Sequence, residues 1–395
     1  MVSVQEAKKL IDDHSRSLAP VTSKLQIAAG LVLAEDVYAP ADIPAFPQSS
    51  MDGYALSFQG WQQHKKLKIE GEIAAGNNQS IIINEQNAAR IFTGAAVPEG
   101  ADTVVMQEKV CINSANQNEL IIEDDKLKQG MNVRAKGSEI TIGSLALPKG
   151  TLLTPAGVGF LAGIGIDKVS IYPKPNITII ITGNELCSPG EKLEHGQVYE
   201  SNSYSLSAVL SEMQISSFNI VNCKDDLEAL KEILKKALSG SDVVLLTGGI
   251  SAGDYDFVKP ATEACDVRQI FHKVKQRPGK PLFFGKKDNK IVFGLPGNPS
   301  SVLTCLYEYV IPAINKMTCN TSKNNSLQVP LAFPFHKAPG LTHFLKGSYD
   351  GNFVTILDAQ ESYRMSSFAK ANCLVKIDEE VTEVNAGDKV EIHLL

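Results

Sequence analysis

Residue types able to bind anions and hard cations gather in a few glycine-rich stretches of this 395-residue chain. TGGISAGDYD, from Thr247 to Asp256, sets Gly248, Gly249 and Gly253 beside Ser251, Asp254 and Asp256. Glycines let a backbone approach a ligand and turn N–H groups toward an anion, while the two carboxylates could hold a hard cation such as Mg²⁺ through oxygen. The same stretch could equally be a plain link from strand to helix, with Asp256 as the helix cap. GLPGNPSS, from Gly294 to Ser301, places Gly297 and Asn298 ahead of Pro299, with Ser300 and Ser301 behind. Proline in a first helical turn wastes no N–H, and the free amides there suit a phosphate, or simply start a helix. KVKQRPGK puts Lys273, Lys275, Arg277 and Lys280 within eight residues. On a strand the first three would share one face, either around an oxyanion or in solvent.

A second group lies earlier, in SSMDGYAL (Ser49 to Leu56), IFTGAAVPEGADTVVMQE (Ile91 to Glu108) and NVRAKGSE (Asn132 to Glu139). Asp52 and Glu108 are candidate acids there, and Arg134 and Lys136 candidate anion contacts. MDGY also reads as a tight turn and PEGAD as a loop. Spacing gives no route by which one chain folds this group onto the later loops.

The elements that must hold these residues follow from the texture of the chain. Ser3 with Glu6 three residues on, ahead of Val4, Ala7, Leu10 and Ile11, predicts a capped amphipathic helix. Short β-like runs punctuated by Gly, Asn and Asp predict an inserted β domain over 46–136. A helical segment around TPAGVGFLAGIGI is expected to return and pack with the first helix, so that 1–45 and 137–172 make one discontinuous, helix-rich dimerisation domain. Residues 173–322 alternate strand and helix, as a parallel α/β sheet does. The strands are expected at Ile177–Ile181, Ser217–Val221, Val243–Leu246, Arg268–Val274 and Ile291–Phe293, with Asp225 or Asp226 capping the helix between the second and third. Residues 323–395 read as a C-terminal β domain. The expected fold class is therefore multidomain α/β plus β. In an open parallel sheet ligands bind beyond the carboxyl ends of the strands, which selects the loop Thr182–Leu186 along with Thr247–Asp256, Arg277–Pro281 and Gly294–Ser301.

Composition excludes several functions. A formal net charge of -6, from 44 acidic and 38 basic residues, argues against a general nucleic-acid binder, and an anionic ligand would need a local basic patch. No apolar run approaches the roughly 18 residues that span a bilayer. Seven cysteines, odd in number and without a C-x-x-C, read as reduced cytoplasmic thiols, not as a disulfide frame or zinc site.

Taken in order, SxMDGYA, TGAxVPxGADxVVMQE, TGNEL, TGGxSxGxxD, PGKPxxFG and GLPGNPxS resemble the molybdopterin molybdenumtransferase family, bacterial MoeA and the gephyrin E domain. The match runs over essentially the whole chain. It implies a molybdopterin-binding α/β domain in an elongated four-domain homodimer, with each active site shared between the sheet crevice of one subunit and the β insertion of the other. The implied reaction inserts molybdate into adenylylated molybdopterin with Mg²⁺, releases AMP and gives molybdenum cofactor. Matched position by position, Asp52, Thr93, Glu185, Asp256, Lys273 and Arg277 are the implied catalytic residues. Asp225, or Asp226 one place on, joins Asp256 at the metal. Arg134, Gly248, Gly249, Ser251, Gly253, Lys280, Gly297, Asn298, Ser300 and Ser367 are the implied substrate contacts. The resemblance further suggests association with molybdopterin adenylyltransferase. The chain departs from the family at Asn184 for Asp, Arg277 for Lys, Leu341 for Arg and Glu139 for Asp, and its arginine-rich segment is thinned to Arg134 and Lys136. A non-catalytic molybdopterin-binding scaffold on the same fold is the alternative reading, and adenylylation of molybdopterin a weaker third.

Overall fold

A computed structural model describes residues 1–76, 81–113, 116, 118–249, 257–321 and 326–395. The chain divides into two compact units, one made of residues 1–22, 30–34 and 170–395, the other of residues 23–29 and 35–169. Helix α1 (Val4–His14) opens the first unit. Its capping box forms as its sequence predicts: Ser3 Oγ accepts from the Glu6 N–H at 3.1 Å, and the Glu6 carboxylate accepts from the Ser3 N–H at 2.8 Å.

The second unit is built on a six-stranded sheet of β1 (Gly53–Leu56), β2 (Lys66–Ile73), β3 (Asn87–Ile91), β4 (Thr103–Met106), β5 (Val110–Ile112) and β6 (Glu119–Ile122), in the order β4-β1-β3-β2-β6-β5. Its faces bury Tyr54, Leu56, Leu67, Val105 and Leu120 on one side and Ile73, Ile83, Ile91 and Val104 on the other. Gly53 is a steric requirement here, because a Cβ at that place would lie 1.8 Å from the Val105 carbonyl oxygen on β4. Later in this unit helix α2 (Pro155–Gly163) starts from Thr154, whose hydroxyl accepts from the Gly157 N–H at 3.1 Å, and it packs on the turn Leu25–Ile27.

The first unit carries the α/β sheet, formed by β7 (Ile177–Thr182), β8 (Phe218–Cys223), β9 (Val243–Thr247), β10 (Arg268–His272), β11 (Phe283–Lys287) and β12 (Lys290–Leu295), in the order β8-β7-β9-β12-β11-β10. The first four in that order are parallel; β11 is antiparallel to both β12 and β10. Strand β11 is an addition to the expected set, and it leaves the carboxyl end of β10 on the same edge as those of the parallel strands. Between strands come α3 (Asn202–Glu212), α4 (Leu227–Gly240) and α5 (Val258–Ala264). After β12 run α6 (Pro299–Cys305), a π-helical turn Leu306–Val310, and α7 (Ile311–Met317). A further sheet follows, with β13 (Ser326–Pro330), β14 (Thr342–Tyr349), β15 (Cys373–Ile377) and β16 (Lys389–Leu394), and the short strand Gln276–Arg277 joins it parallel to β14.

One expectation is corrected. Helix α1 and the segment around 155–163 belong to different units: Val4, Ala7 and Ile11 are buried in the α/β core of the first unit with Phe284, Ile314 and Met317. Val2, two residues ahead of the helix, also pairs with the segment after β10, the Val2 N–H donating to the Lys273 carbonyl at 3.1 Å and the Lys275 N–H to the Val2 carbonyl at 2.9 Å. A charged seam fixes the same junction. Glu308, 2% exposed, accepts from Lys8 Nζ at 2.6 Å and pairs with His393 Nδ1 at 2.6 Å. Burial pushes the Glu308 carboxyl up, but the His393 hydrogen bond and the Lys8 charge outweigh it and leave it lowered. No helix among the described residues is long and apolar enough to cross a membrane.

Candidate active site

At the carboxyl edge of the α/β sheet the loops after β7 and β8 lock together. The Asn184 N–H donates to Asp225 Oδ2 at 3.1 Å, and the Asp225 N–H donates back to Asn184 Oδ1 at 3.2 Å. The neighbouring Asp226 is committed elsewhere, as N-cap of α4, accepting from the Ala229 N–H at 2.8 Å. The two aspartates are thereby told apart: Asp226 starts the helix, and Asp225 stays on the loop after β8, its Oδ1 without a hydrogen bond among the described residues. Glu185 is exposed on the same loop.

Beside them β9 ends in Gly248 and Gly249, with φ of 86° and 60°. A Cβ on Gly248 would come within 2.5 Å of the Thr182 carbonyl oxygen, so both conformation and space demand glycine. A Cβ on Gly297 would meet Gly248 Cα at 3.8 Å, which sets the GLPGNP turn against this loop. The turn is braced by Asn202 at the start of α3, whose Nδ2 donates to the Gly297 carbonyl at 2.9 Å. Asn202 Oδ1 and Ser300 Oγ are both buried and have no partner among the described residues. Asn298 is the N-cap residue of α6, and its side chain donates to Ser362 Oγ at 2.8 Å. Ser251, Gly253 and Asp256 lie outside the described residues.

The basic segment departs from its expected form. Strand β10 ends at His272, and Lys273 adopts φ of 74°, which breaks the alternation that would have set Lys273, Lys275 and Arg277 on one face. Lys275 is used in an ion pair with Glu379 at 2.7 Å. Gln276 is fully buried and donates to the carbonyls of Pro278 and Gly279 at 3.0 and 3.2 Å, shaping the RPG turn. Arg277 and Lys280 are exposed. Arg277 lines a cleft of about 490 Å³ with Phe333, Phe335, Leu357 and Glu361. Five strand spacings of 4.7–4.9 Å put β10 about 24 Å from β8 across the sheet, so Lys273 and Asp225 address opposite ends of the edge. His343, next to Arg277 on the paired strand, has its pKa pushed down to about 4, first by burial and then by Lys337 and Arg277.

Ser367, expected as a substrate contact, sits largely inside the protein. It is 6% exposed, and its hydroxyl donates to the Ala359 carbonyl at 2.8 Å. Lys346, also buried, donates to the carbonyls of Ala359 and Arg364 at 2.7 and 3.0 Å. Together they hold the 359–364 loop, whose Ser362 carbonyl accepts from the Ser300 N–H at 3.1 Å. Ser367 thus supports the start of α6 from behind. At Leu341 the nearby cation is Lys337, whose ammonium donates to the Leu341 carbonyl at 2.9 Å.

In the second unit the Ser49–Asp52 segment is the meeting place of three others. Ser49 pairs with Val133 and Gln48 with Arg134; the Gly94 N–H donates to the Ser49 carbonyl at 2.8 Å, and the Gln107 N–H to the Asp52 carbonyl at 3.1 Å. Asp52 Oδ1 accepts both the N–H and the hydroxyl of Thr93, each at 2.8 Å. The Thr93 backbone bond, then its hydroxyl, then the charge of Arg90 hold the Asp52 carboxyl below the ordinary range. Arg134 is exposed beside them. Lys136 is paired with Asp42 at 3.3 Å, which withdraws it as a free anion contact. Sequence reasoning missed Arg90, Asn202 and Ser362, because each matters through a neighbour remote in sequence. The one local signal is that Arg90 directly precedes the IFTGAA motif.

Fold and loops define a multidomain α/β protein with the open-sheet crevice in which such folds take small ligands. Residues 2–165 match the model of the MoeA N-terminal region (domain I and II), 178–316 that of a probable molybdopterin binding domain, and 328–395 that of the MoeA C-terminal region (domain IV). The chain is 34% identical over 383 residues to a molybdopterin molybdenumtransferase of Haemophilus influenzae, covering 94% of both chains. It is 30% identical to one of Staphylococcus aureus, covering 100% of this chain and 95% of that one. The crystal structure of a molybdopterin biosynthesis MoeA protein from Pyrococcus horikoshii matches with a TM-score of 0.84 at 29% identity, covering 100% and 99% of the two chains. The chain belongs to the molybdopterin molybdenumtransferase (MoeA) family.

Proposed function

We propose that this protein is a molybdopterin molybdenumtransferase acting in molybdenum cofactor biosynthesis. Molybdate and adenylylated molybdopterin are its substrates; the phosphoanhydride that carries AMP is hydrolysed, water supplying the new phosphate oxygen, and the two dithiolene thiols bond molybdenum as their protons leave with one molybdate oxygen as water. The observation that carries this reading is full-length agreement with relatives named for that transfer, at 30–34% identity. The same agreement favours the enzyme over a non-catalytic scaffold.

The edge of the α/β sheet suits such a substrate. An elongated molecule with an anionic centre can pass the glycine loops at 248 and 297 and still reach cations near β10. In this reading Gly248, Gly249, Gly297 and Ser300 line the pterin and phosphate path, with Ser251 and Gly253. Lys273, Arg277, Lys280 and Arg134 attract oxyanions, and a bidentate guanidinium at 277 favours a planar or tetrahedral oxyanion more than lysine would. Glu185 lies at the adenylate end.

Among the described residues no three His, Cys, Asp or Glu side chains gather as a metal cage. That donor set fits Mg²⁺, which fills most of its shell with water and substrate phosphates and needs only one or two carboxylates. Asp225, through the oxygen not used by Asn184, and Asp256 are the residues that would hold it. When bound, Mg²⁺ would offset negative charge on the phosphoanhydride.

The working form is a cytoplasmic homodimer in which each site joins the crevice of one subunit to the Asp52, Thr93 and Arg134 region of the other. Its domains are 1–45 with 137–172, 46–136, 173–322 and 323–395, amended by the docking of α1 onto the third. The adenylyltransferase that makes the substrate is its proposed partner. The test is to incubate purified protein with adenylylated molybdopterin, molybdate and Mg²⁺ and to measure AMP and cofactor; no AMP above a boiled control sinks the enzyme. Mixing Asp52→Ala with Asp256→Ala protein should restore activity in one class of site. No recovery despite demonstrated subunit exchange would count against a shared site.

A further inference from the structure

Arg90 on β3 stands behind the two exposed carboxylates of the second unit without presenting itself to a ligand. Its guanidinium lies over the rings of Tyr54 and Phe92, at 5.2 and 5.0 Å from their centroids. It donates to the Gly53 carbonyl at 3.4 Å and to Gln107 Oε1. Those partners flank the candidate acids. Gly53 follows Asp52 directly, and Gln107 donates its backbone N–H to the Asp52 carbonyl and its Nε2 to Glu108 Oε1 at 3.0 Å. Because Arg90 can only donate, it fixes which way the Gln107 amide points, and so leaves Nε2 free to meet Glu108. One cation, sandwiched between two rings, thereby orders both Asp52 and Glu108.

We infer that Arg90 is a positioning residue for the molybdenum-transfer reaction, holding Asp52 and Glu108 aimed through Gln107 and the Gly53 peptide. The inference rests on the proposed function for its kinetic consequences. The charged groups around it are Asp52 at the start of β1, Glu108 after β4 and Glu72 opposite Arg90 on β2. The Thr93 bonds chiefly hold the Asp52 carboxyl low and the Gln107 side-chain bond the Glu108 carboxyl; the Arg90 charge adds to both in the same direction, while Asp52 raises Glu108. Without the guanidinium, both carboxyls should therefore hold their protons to higher pH.

The test compares Arg90→Ala and Arg90→Lys with the parent chain. Arg90→Ala should lower kcat about 10- to 100-fold with little change in KM for either substrate, as loss of orientation without loss of binding does. The acid limb of its pH profile should move to higher pH. Arg90→Lys keeps the charge and loses the flat fork, so its acid limb should return toward the parent position while kcat stays low. Carboxyl ¹³C titration gives a readout independent of activity, with Asp52 and Glu108 assigned from the Asp52→Asn and Glu108→Gln spectra. Both titrations should shift upward in Arg90→Ala. Unchanged kcat and unchanged titrations in Arg90→Ala overturn the inference. If Arg90→Ala does not fold, full kcat in a folded Arg90→Lys overturns the positioning role. A parent chain that releases no AMP defeats the functional reading, while the carboxyl titrations still judge Arg90.

Discussion

Two carboxylates of the candidate site, Asp52 and Asp225, are clamped differently. Asp52 takes two bonds from a single residue on a single oxygen, with an arginine behind it. Asp225 accepts the Asn184 backbone N–H on its carboxylate and gives its own N–H to the Asn184 side-chain oxygen, in a reciprocal pair closed by shape. The contrast teaches that charge is the property protected in the first clamp, whereas geometry is protected in the second. Substitutions that remove charge and keep shape should hurt Asp52 most, and substitutions that keep both acceptors should pass almost unnoticed at Asn184.

The largest effect is expected at Asp52→Ala, which should lower kcat about 100-fold or more in the AMP-release assay, because it frees the Thr93 turn as well as deleting the acid. Retention of activity there would end the parallel between the clamps. Gly248→Ala comes next. It puts a Cβ into the Thr182 carbonyl at a left-handed position, which should cost about 2–4 kcal/mol in denaturant unfolding. Thr93→Val removes the hydroxyl and leaves the backbone bond; activity should fall about tenfold, and Thr93→Ser should restore it. His343 supplies a pH test away from both clamps. Its folded pKa of about 4 lies below the ordinary histidine value of 6.5. The unfolded chain therefore binds the extra proton between those values, so stability should fall as pH drops from about 6.5 to about 4, and His343→Phe should flatten that part of the curve. The smallest effect is expected for Asn184→Asp, since its side-chain oxygen still accepts from the Asp225 N–H. Activity should stay within about twofold, and a large loss would mean that the amide itself matters.

The sequence disclosed what is local. Ser3 and Glu6 announce the first helix, the apolar run Ile177–Thr182 announces a buried strand, and proline at 299 marks where α6 begins. It also placed the crevice, because strand ends in an open sheet choose their own loops. Long-range decisions stayed hidden. FFGKK in 283–287 reads as part of a loop until its pairing with β12 and β10 is known. Lys273 has a strand neighbour on one side and nothing in its side chain that foretells φ of 74°. Ser367 matches a functional position, yet its burial depends on a carbonyl eight residues back.

The docking of α1 has a consequence for synthesis. Lys8 meets Glu308 across 300 residues of chain, and the apolar face of Val4, Ala7 and Ile11 is completed only when α7 arrives. At about 5–20 residues per second, that face waits roughly 15–60 s after leaving the ribosome. A helix made 300 residues ahead of its partner is late to find its place, so a nascent chain of this protein offers that apolar stripe to whatever guards it in the interval.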